Sequence, residues 1–137
     1  MSLLDDVSDL LSTGGITRTI YKGHTPALAG DSVITLYETG GMATLKTMAI
    51  GPGAANTVER PRVQVVCRDG DYSVARTVAG ICFNLLDGLP ARVINGTPYL
   101  WAAAVQSPFL LDTDLNDRSR VAFNVDFMKA LSTSTST

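Results

Sequence analysis

Hydrophobic and polar positions are most regular between residues 62 and 87. Val63, Val65 and Cys67 alternate with Arg62, Gln64 and Arg68, interrupted only by Val66. A period of two predicts a half-buried strand. Asp69 and Gly70 supply a turn, and Asp71 can cap a helix by accepting a free first-turn amide. Ala75, Val78, Ala79, Cys82, Leu85 and Leu86 then recur at helical spacing, with Ser73, Thr77, Gly80, Asn84 and Asp87 on the opposite stripe. Gly88 and Pro90 end the helix. Its apolar stripe needs a cover, and a sheet made of the other strands is the available one.

The same pattern extends along the chain. Leu3, Leu4, Val7, Leu10 and Leu11 form one side of a short N-terminal helix, capped by Ser2, with Asp5 and Asp6 in its first turn and Thr13-Gly14-Gly15 at its end. Ile16 to Tyr21 alternates as a strand. Ser32 to Glu38 is apolar on both sides, as expected of a central strand. Residues 39–60 are punctuated by Thr39-Gly40-Gly41 and Gly51-Pro52-Gly53, and Met42 to Ile50 alternates between them. This segment reads either as one arm of a hairpin or as a loop that orders on binding. Ala91 to Asn95 is a short strand, and Asn95-Gly96 signals a tight hairpin. Tyr99 to Gln106 follows, with Tyr99, Trp101, Ala103 and Val105 expected on one face. Phe109 to Leu111, a polar turn from Asp112 to Ser119, and a strand from Arg120 to Lys129 complete the pattern. Val121, Phe123, Val125 and Phe127 line one side of that last strand. The predicted fold is α+β: a mostly antiparallel sheet with an N-terminal helix and one long central helix packed on one face. Residues 1–131 read as a single domain and 132–137 as a disordered Ser/Thr tail.

Composition narrows the function. The length of 137 residues suffices for one core. A net charge of −2 creates no global field toward nucleic acid or an anionic membrane. No apolar run approaches the roughly 20 residues of a membrane span, and the first residues lack the basic start and apolar centre of a signal peptide. Cys67 and Cys82 fall on core faces and read as small apolar residues in a reducing compartment; a disulfide between them is geometrically possible but not required.

Candidate chemistry weakens on inspection. Asp112-Thr113-Asp114 begins like a calcium loop, but Asp117 stands where glycine is needed and Phe123 where a bidentate glutamate belongs. His24 is the only histidine and lacks partners for catalysis or metal binding. Asn95-Gly96-Thr97 without a secretory signal means only a turn, and Gly51-Pro52-Gly53 lacks the lysine of a phosphate loop. No catalytic residue, metal ligand or cofactor is expected. In an alternative reading, a small-ligand-binding or enzymatic domain, Tyr99 and Trp101 would line a pocket.

Several motifs in fixed order carry a resemblance: Ile20-Tyr21-Lys22-Gly23; Leu36-Tyr37-Glu38-Thr39-Gly40-Gly41; Arg62-Val63-Gln64-Val65; Asp71-Tyr72 opening the helix; Leu85-Leu86-Asp87-Gly88-Leu89; and the Asp114–Arg118 turn running into Phe123-Asn124-Val125. Over roughly residues 3–129 the chain resembles the minor capsid or tail terminator proteins of long-tailed bacteriophages. The resemblance implies a structural, non-enzymatic virion protein at the head–tail interface, assembled in the host bacterial cytoplasm. It implies a ring of copies, usually a hexamer, that caps the tail tube, ends its polymerisation and joins it to the head connector. The implied partners are the chain itself, the major tail tube protein and the head connector or stopper. DNA would pass through without sequence-specific binding, and no membrane is involved. A head-side stopper or adaptor is the neighbouring alternative. For contact with the tube or a neighbouring subunit, the candidate residues are Met42, Leu45, Lys46, Met48 and Ile50, together with Arg62, Gln64 and Arg68 on a strand face expected to be exposed.

Overall fold

The computed structural model describes residues 3–27, 29–46, 57–114 and 116–130. Two helices, α1 (Leu3–Thr13) and α2 (Tyr72–Leu86), accompany nine strands: β1 (Thr19–Lys22), β2 (Val33–Glu38), β3 (Met42–Lys46), β4 (Thr57–Arg60), β5 (Arg62–Asp69), β6 (Arg92–Ile94), β7 (Thr97–Ala104), β8 (Phe109–Thr113) and β9 (Ser119–Ala130). The strands form one sheet in the order β1-β2-β5-β9-β4-β3, with β7 and β8 also pairing β9 and β6 outside β7. Among the described strands, only β1 and β2 run parallel; the other pairings are antiparallel. This is the expected α+β architecture, with α1 at the N-terminal end of the sequence and α2 as the long central helix.

Strand β9 organises the sheet. β5 lies along one side of it from Arg62↔Asp126 to Asp69↔Ser119, and β4 continues that register at Glu59↔Lys129. Residues 57–69 therefore act as one long strand interrupted at Pro61, which has no amide hydrogen to donate. Pro61 still accepts a bond from the Phe127 amide at 2.9 Å. Along the other side of β9 run β7 and β8.

Alternation decides the core. Ile34, Leu36, Val63, Val65, Cys67, Val121, Phe123, Val125 and Phe127 point to one face, where they meet Leu3, Val7 and Leu11 of α1 and Ala75, Ala79, Cys82 and Leu86 of α2. Small residues on α2 let the helix sit close to the sheet, and Phe83 packs edge-on against Phe123 with ring centroids 5.7 Å apart. The helix starts where expected: the Asp71 side chain accepts from the Ser73 amide. Cys67 and Cys82 are free and buried. Their mutual hydrogen bond and burial push the Cys67 thiol well up, so it has little thiolate character.

Three elements depart from the expected pattern. β1 begins at Thr19 rather than Ile16, because residues 14–16 finish α1: Gly15 and Ile16 amides bond back to Ser12 and Leu11 carbonyls, and Gly15 has φ +104°. That is a left-handed helix stop, which glycine adopts without strain. In β7, the register shifts between Tyr99 and Trp101. The extra residue puts Ala102, not Trp101, beside Tyr99 in the core, and leaves Trp101 half-buried and Leu100 exposed. Tyr99 and Trp101 therefore do not share the face that strict alternation assigns them, nor line one pocket. Finally, part of 39–60 is a hairpin: β3 pairs β4 antiparallel. Residues 47–56 and the Ser/Thr tail at 132–137 lie outside the described residues.

Candidate functional site

Two strands continue the lines of β2 and β5 toward one end of the sheet. β2 and β3 pair in sequence with β5 and β4, so residues 33–46 and 57–69 form one long hairpin. Both sides break at the same level. Gly40 takes φ +70°, and Gly41 lies against the Arg60 carbonyl and Pro61, whose Cα would be 2.8 Å from an added β-carbon. Beyond this break β3 pairs with β4, which itself pairs with β9 at Val58↔Ala130 and Glu59↔Lys129, so that β3, about 17 Å long at strand rise, is the outer strand of an arm. The helices pack chiefly on β1, β2, β5, β7 and β9, so the arm extends from the part of the sheet that carries the core. Among the described strands, β3 pairs only with β4 and leaves its outer edge open.

The candidate residues separate on this frame. Met42, Leu45 and Lys46 belong to β3; Met48 and Ile50 lie outside the described residues. Arg62, Gln64 and Arg68 share the helix-free face of β5, as alternation predicts. They are half-buried rather than open: Arg62 pairs with Asp126 of β9, and Arg68 reaches the Gly30 carbonyl. Arg62 grips Asp126 through Nε at 2.6 Å and Nη2 at 3.1 Å, at the foot of the arm. The hydrogen bond to Asp126 raises the guanidinium pKa still further. Arg62 also borders a cleft of about 360 Å³ with Glu38, Gly41, Glu59, Pro61 and Lys129. Arg68 donates Nη2 to the Gly30 carbonyl at 2.6 Å.

Polar networks tie the body together, and of these sequence patterning signalled only the Asp114 turn. Asp6, 1% exposed on α1, accepts from the Tyr99 hydroxyl and from Asn95 Nδ2 at 2.8 Å. Burial, followed by the bond to Asp6, raises the Tyr99 pKa, so this hydroxyl keeps its proton. The pairing fastens α1 to the β6–β7 hairpin, whose turn residues Asn95 and Gly96 take φ +50° and +81°. At the other end, Asp69 accepts from Arg18 at 2.9 Å, Ser32 at 2.7 Å and the Asp71 amide at 3.0 Å. Burial pushes its carboxyl up, but the Asp71, Ser32 and Arg18 bonds and the Arg18 charge outweigh this and hold its pKa below the usual carboxylate range. Asp114 behaves alike. Burial raises it, yet the Arg118 and Asn116 amides and the Arg118 guanidinium bring it below the ordinary value. Its carboxylate closes the β8–β9 turn, as expected of a turn rather than a calcium loop.

A pH dependence follows from these two depressed carboxylates. Their contribution to stability is full above the unfolded carboxylate pKa, about 4, and is lost as pH falls through their lower folded values. Urea unfolding should therefore show falling stability from about pH 5 to pH 2. The double variant D69N/D114N should show a shallower fall over the same window. An unchanged slope would mean that other groups carry the acid sensitivity.

Among the described residues, no three His, Cys, Asp or Glu side chains are grouped to hold a metal, and no helix is long and apolar enough to cross a membrane. A family model described as bacteriophage tail terminator protein matches residues 4–128. A solved chain from the virion of a native gene transfer agent particle superposes with a TM-score of 0.63 at 12% identity, covering 95% of this chain and 96% of that one. A second solved chain superposes with a TM-score of 0.55 at 17% identity, covering 93% of this chain and 89% of its own length. At these identities the two likenesses concern the fold. No curated protein sequence matches.

Proposed function

The chain belongs to the bacteriophage tail terminator family, a family of structural virion proteins rather than enzymes, and on that premise we propose that its copies close into a ring, hexameric in the usual form, on the end of the tail tube. There it stops tube polymerisation and joins the tail to the head connector or stopper, at the head–tail interface. Assembly takes place in the host bacterial cytoplasm. The major tail tube protein, the connector and neighbouring copies are its partners, and DNA passes through without being read. Residues 1–131 act as the single ring-forming domain.

The observation that carries this reading is the β3–β4 arm. A ring needs heterologous contacts that close, and an open strand edge on an extended arm is suited to donate or receive a strand. Met42, Leu45 and Lys46 of β3, Met48 and Ile50 in the stretch that follows it in sequence, and Arg62, Gln64 and Arg68 of β5 are the proposed contact residues. The net charge of −2 is compatible with DNA sliding past, since a strongly basic lumen would hold phosphates.

Electron microscopy of particles from a parent phage lacking the protein tests the role. Tailless heads beside overlong, unattached tails are expected. Tails of normal length that fail to join would move the protein to the head side as a stopper or adaptor, and ordinary particles would reject a structural role. For the arm, a variant lacking residues 42–50 should keep its helix and sheet signal by circular dichroism and lose capping in an in vitro tail-assembly assay. Capping that survives the deletion removes the arm from the interface.

A further inference from the structure

On the helix-free face of the sheet, Arg68 and Arg120 are register partners across β5 and β9. Like charges directly opposite one another repel, and a strand pair gains nothing from them unless something lies between. They border a cavity of about 150 Å³ with Thr25, Thr35, Tyr37, Val66 and Asp114. At about 30 Å³ for each water of liquid, that is room for roughly five waters, enough for a phosphate or carboxylate but not a nucleotide.

The two guanidiniums are not equally satisfied. Arg120 spends Nη1 on Asp112, at 2.9 and 3.2 Å. Arg68 gives Nη2 to the Gly30 carbonyl, and its Nε is buried without a hydrogen-bond partner. A buried charged donor with no acceptor calls for a missing one. Asp114 does not fill that role. Its Oδ1 accepts the Asn116 and Arg118 amides and its Oδ2 accepts Arg118 Nε. Arg118 also reaches Asp31. The Thr25 and Thr35 hydroxyls, 2.5 Å apart, share a single hydrogen bond, which leaves the other hydroxyl proton free to donate.

We propose that this cavity binds a compact oxyanion, a phosphate or a carboxylate, held by the Arg68 and Arg120 guanidiniums and the threonine hydroxyls. Arginine suits such a ligand because its planar, always-charged fork matches two oxygens at once. The site shares Arg68 with the proposed contact surface, but its test does not depend on tail capping. It stands or falls on binding to the isolated chain, whatever microscopy shows of the tails.

The test is thermal unfolding of the full chain at constant ionic strength, with chloride replaced stepwise by inorganic phosphate in one series and by acetate in another. A saturable rise in Tm is expected. R68M should weaken the response at least tenfold in half-saturating concentration, and R120Q should weaken it too. R92Q, on distant β6, should leave it unchanged. A response to phosphate alone assigns a phosphate ligand. A response to acetate alone, or to both, assigns a site open to carboxylates such as Asp or Glu side chains. Either supports the site. Should R68M fail to fold by circular dichroism, R120Q decides. A Tm that does not rise in either series, or that rises equally in R68M and R120Q, overturns the proposal. So does a high-resolution crystal grown in phosphate with only water in the cavity beside Arg68 and Arg120.

Discussion

Replacing Phe123 with alanine is expected to destabilise the protein by about 3–5 kcal/mol. Phe123 is fully buried at the middle of β9, paired with Val65 of β5 and packed against Phe83 of α2. Truncation removes its ring from the core and leaves a cavity that a nine-stranded sheet cannot collapse around. The matched comparison is Trp101→Ala, which should cost only about 1–2 kcal/mol, since Trp101 is half-buried on the opposite face. Denaturant melts of the two variants give the answer directly. Should Trp101→Ala prove the more damaging, the shift in β7 register is wrong and the tryptophan belongs in the core.

The second large effect is expected at Gly41. A β-carbon there would press into the Arg60 carbonyl oxygen and lie 2.8 Å from Pro61 Cα. Both neighbours are backbone, so no rotamer change relieves the clash and the two sides of the hairpin must separate. Gly41→Ala should cost at least about 1–3 kcal/mol and disturb the arm more than the core. Hydrogen exchange distinguishes the outcomes: faster exchange at the β3 and β4 amides is expected, with β9 and β5 still protected. Protection lost evenly across the sheet would show that the arm and the core are one cooperative unit. Gly15→Ala makes a useful contrast, because nothing lies within 4 Å of its would-be β-carbon. There the penalty comes from the left-handed φ alone.

Much of the architecture was legible in the sequence because single residues carried it. Alternation around Val63, Val65 and Cys67 and around Val121, Phe123, Val125 and Phe127 gave both central strands and their inward faces. Asp71, Asn95-Gly96 and the Asp114 turn carried the local chemistry their positions need. What pattern could not give was anything depending on a partner strand. The register shift near Leu100 leaves no mark on the order of residues, yet it exchanges Trp101 for Ala102 in the core. Ile16 looks like a strand residue, but its amide closes a helix. The arm was readable only as one of two options, because the Gly40-Gly41 break acquires meaning only when Pro61 is found opposite. The candidate residues on β5 were assigned to the correct face. Their burial was not visible, since it depends on Asp126, 64 positions away from Arg62, and on Gly30, 38 positions from Arg68.

The pairing of β9 with four other strands also sets an order of events during synthesis. β4, β5, β7 and β8 all precede it along the chain, and each takes hydrogen bonds from it. Until residues 119–130 leave the ribosome, those strands have an exposed edge and α2 lacks one of the two strands it packs on most. Contacts this distant along the chain close slowly, and unfinished sheet edges are prone to wrong pairings. The sheet therefore closes last at its centre, and the edges of β4, β5, β7 and β8 stay open to other strands until β9 has been made and paired.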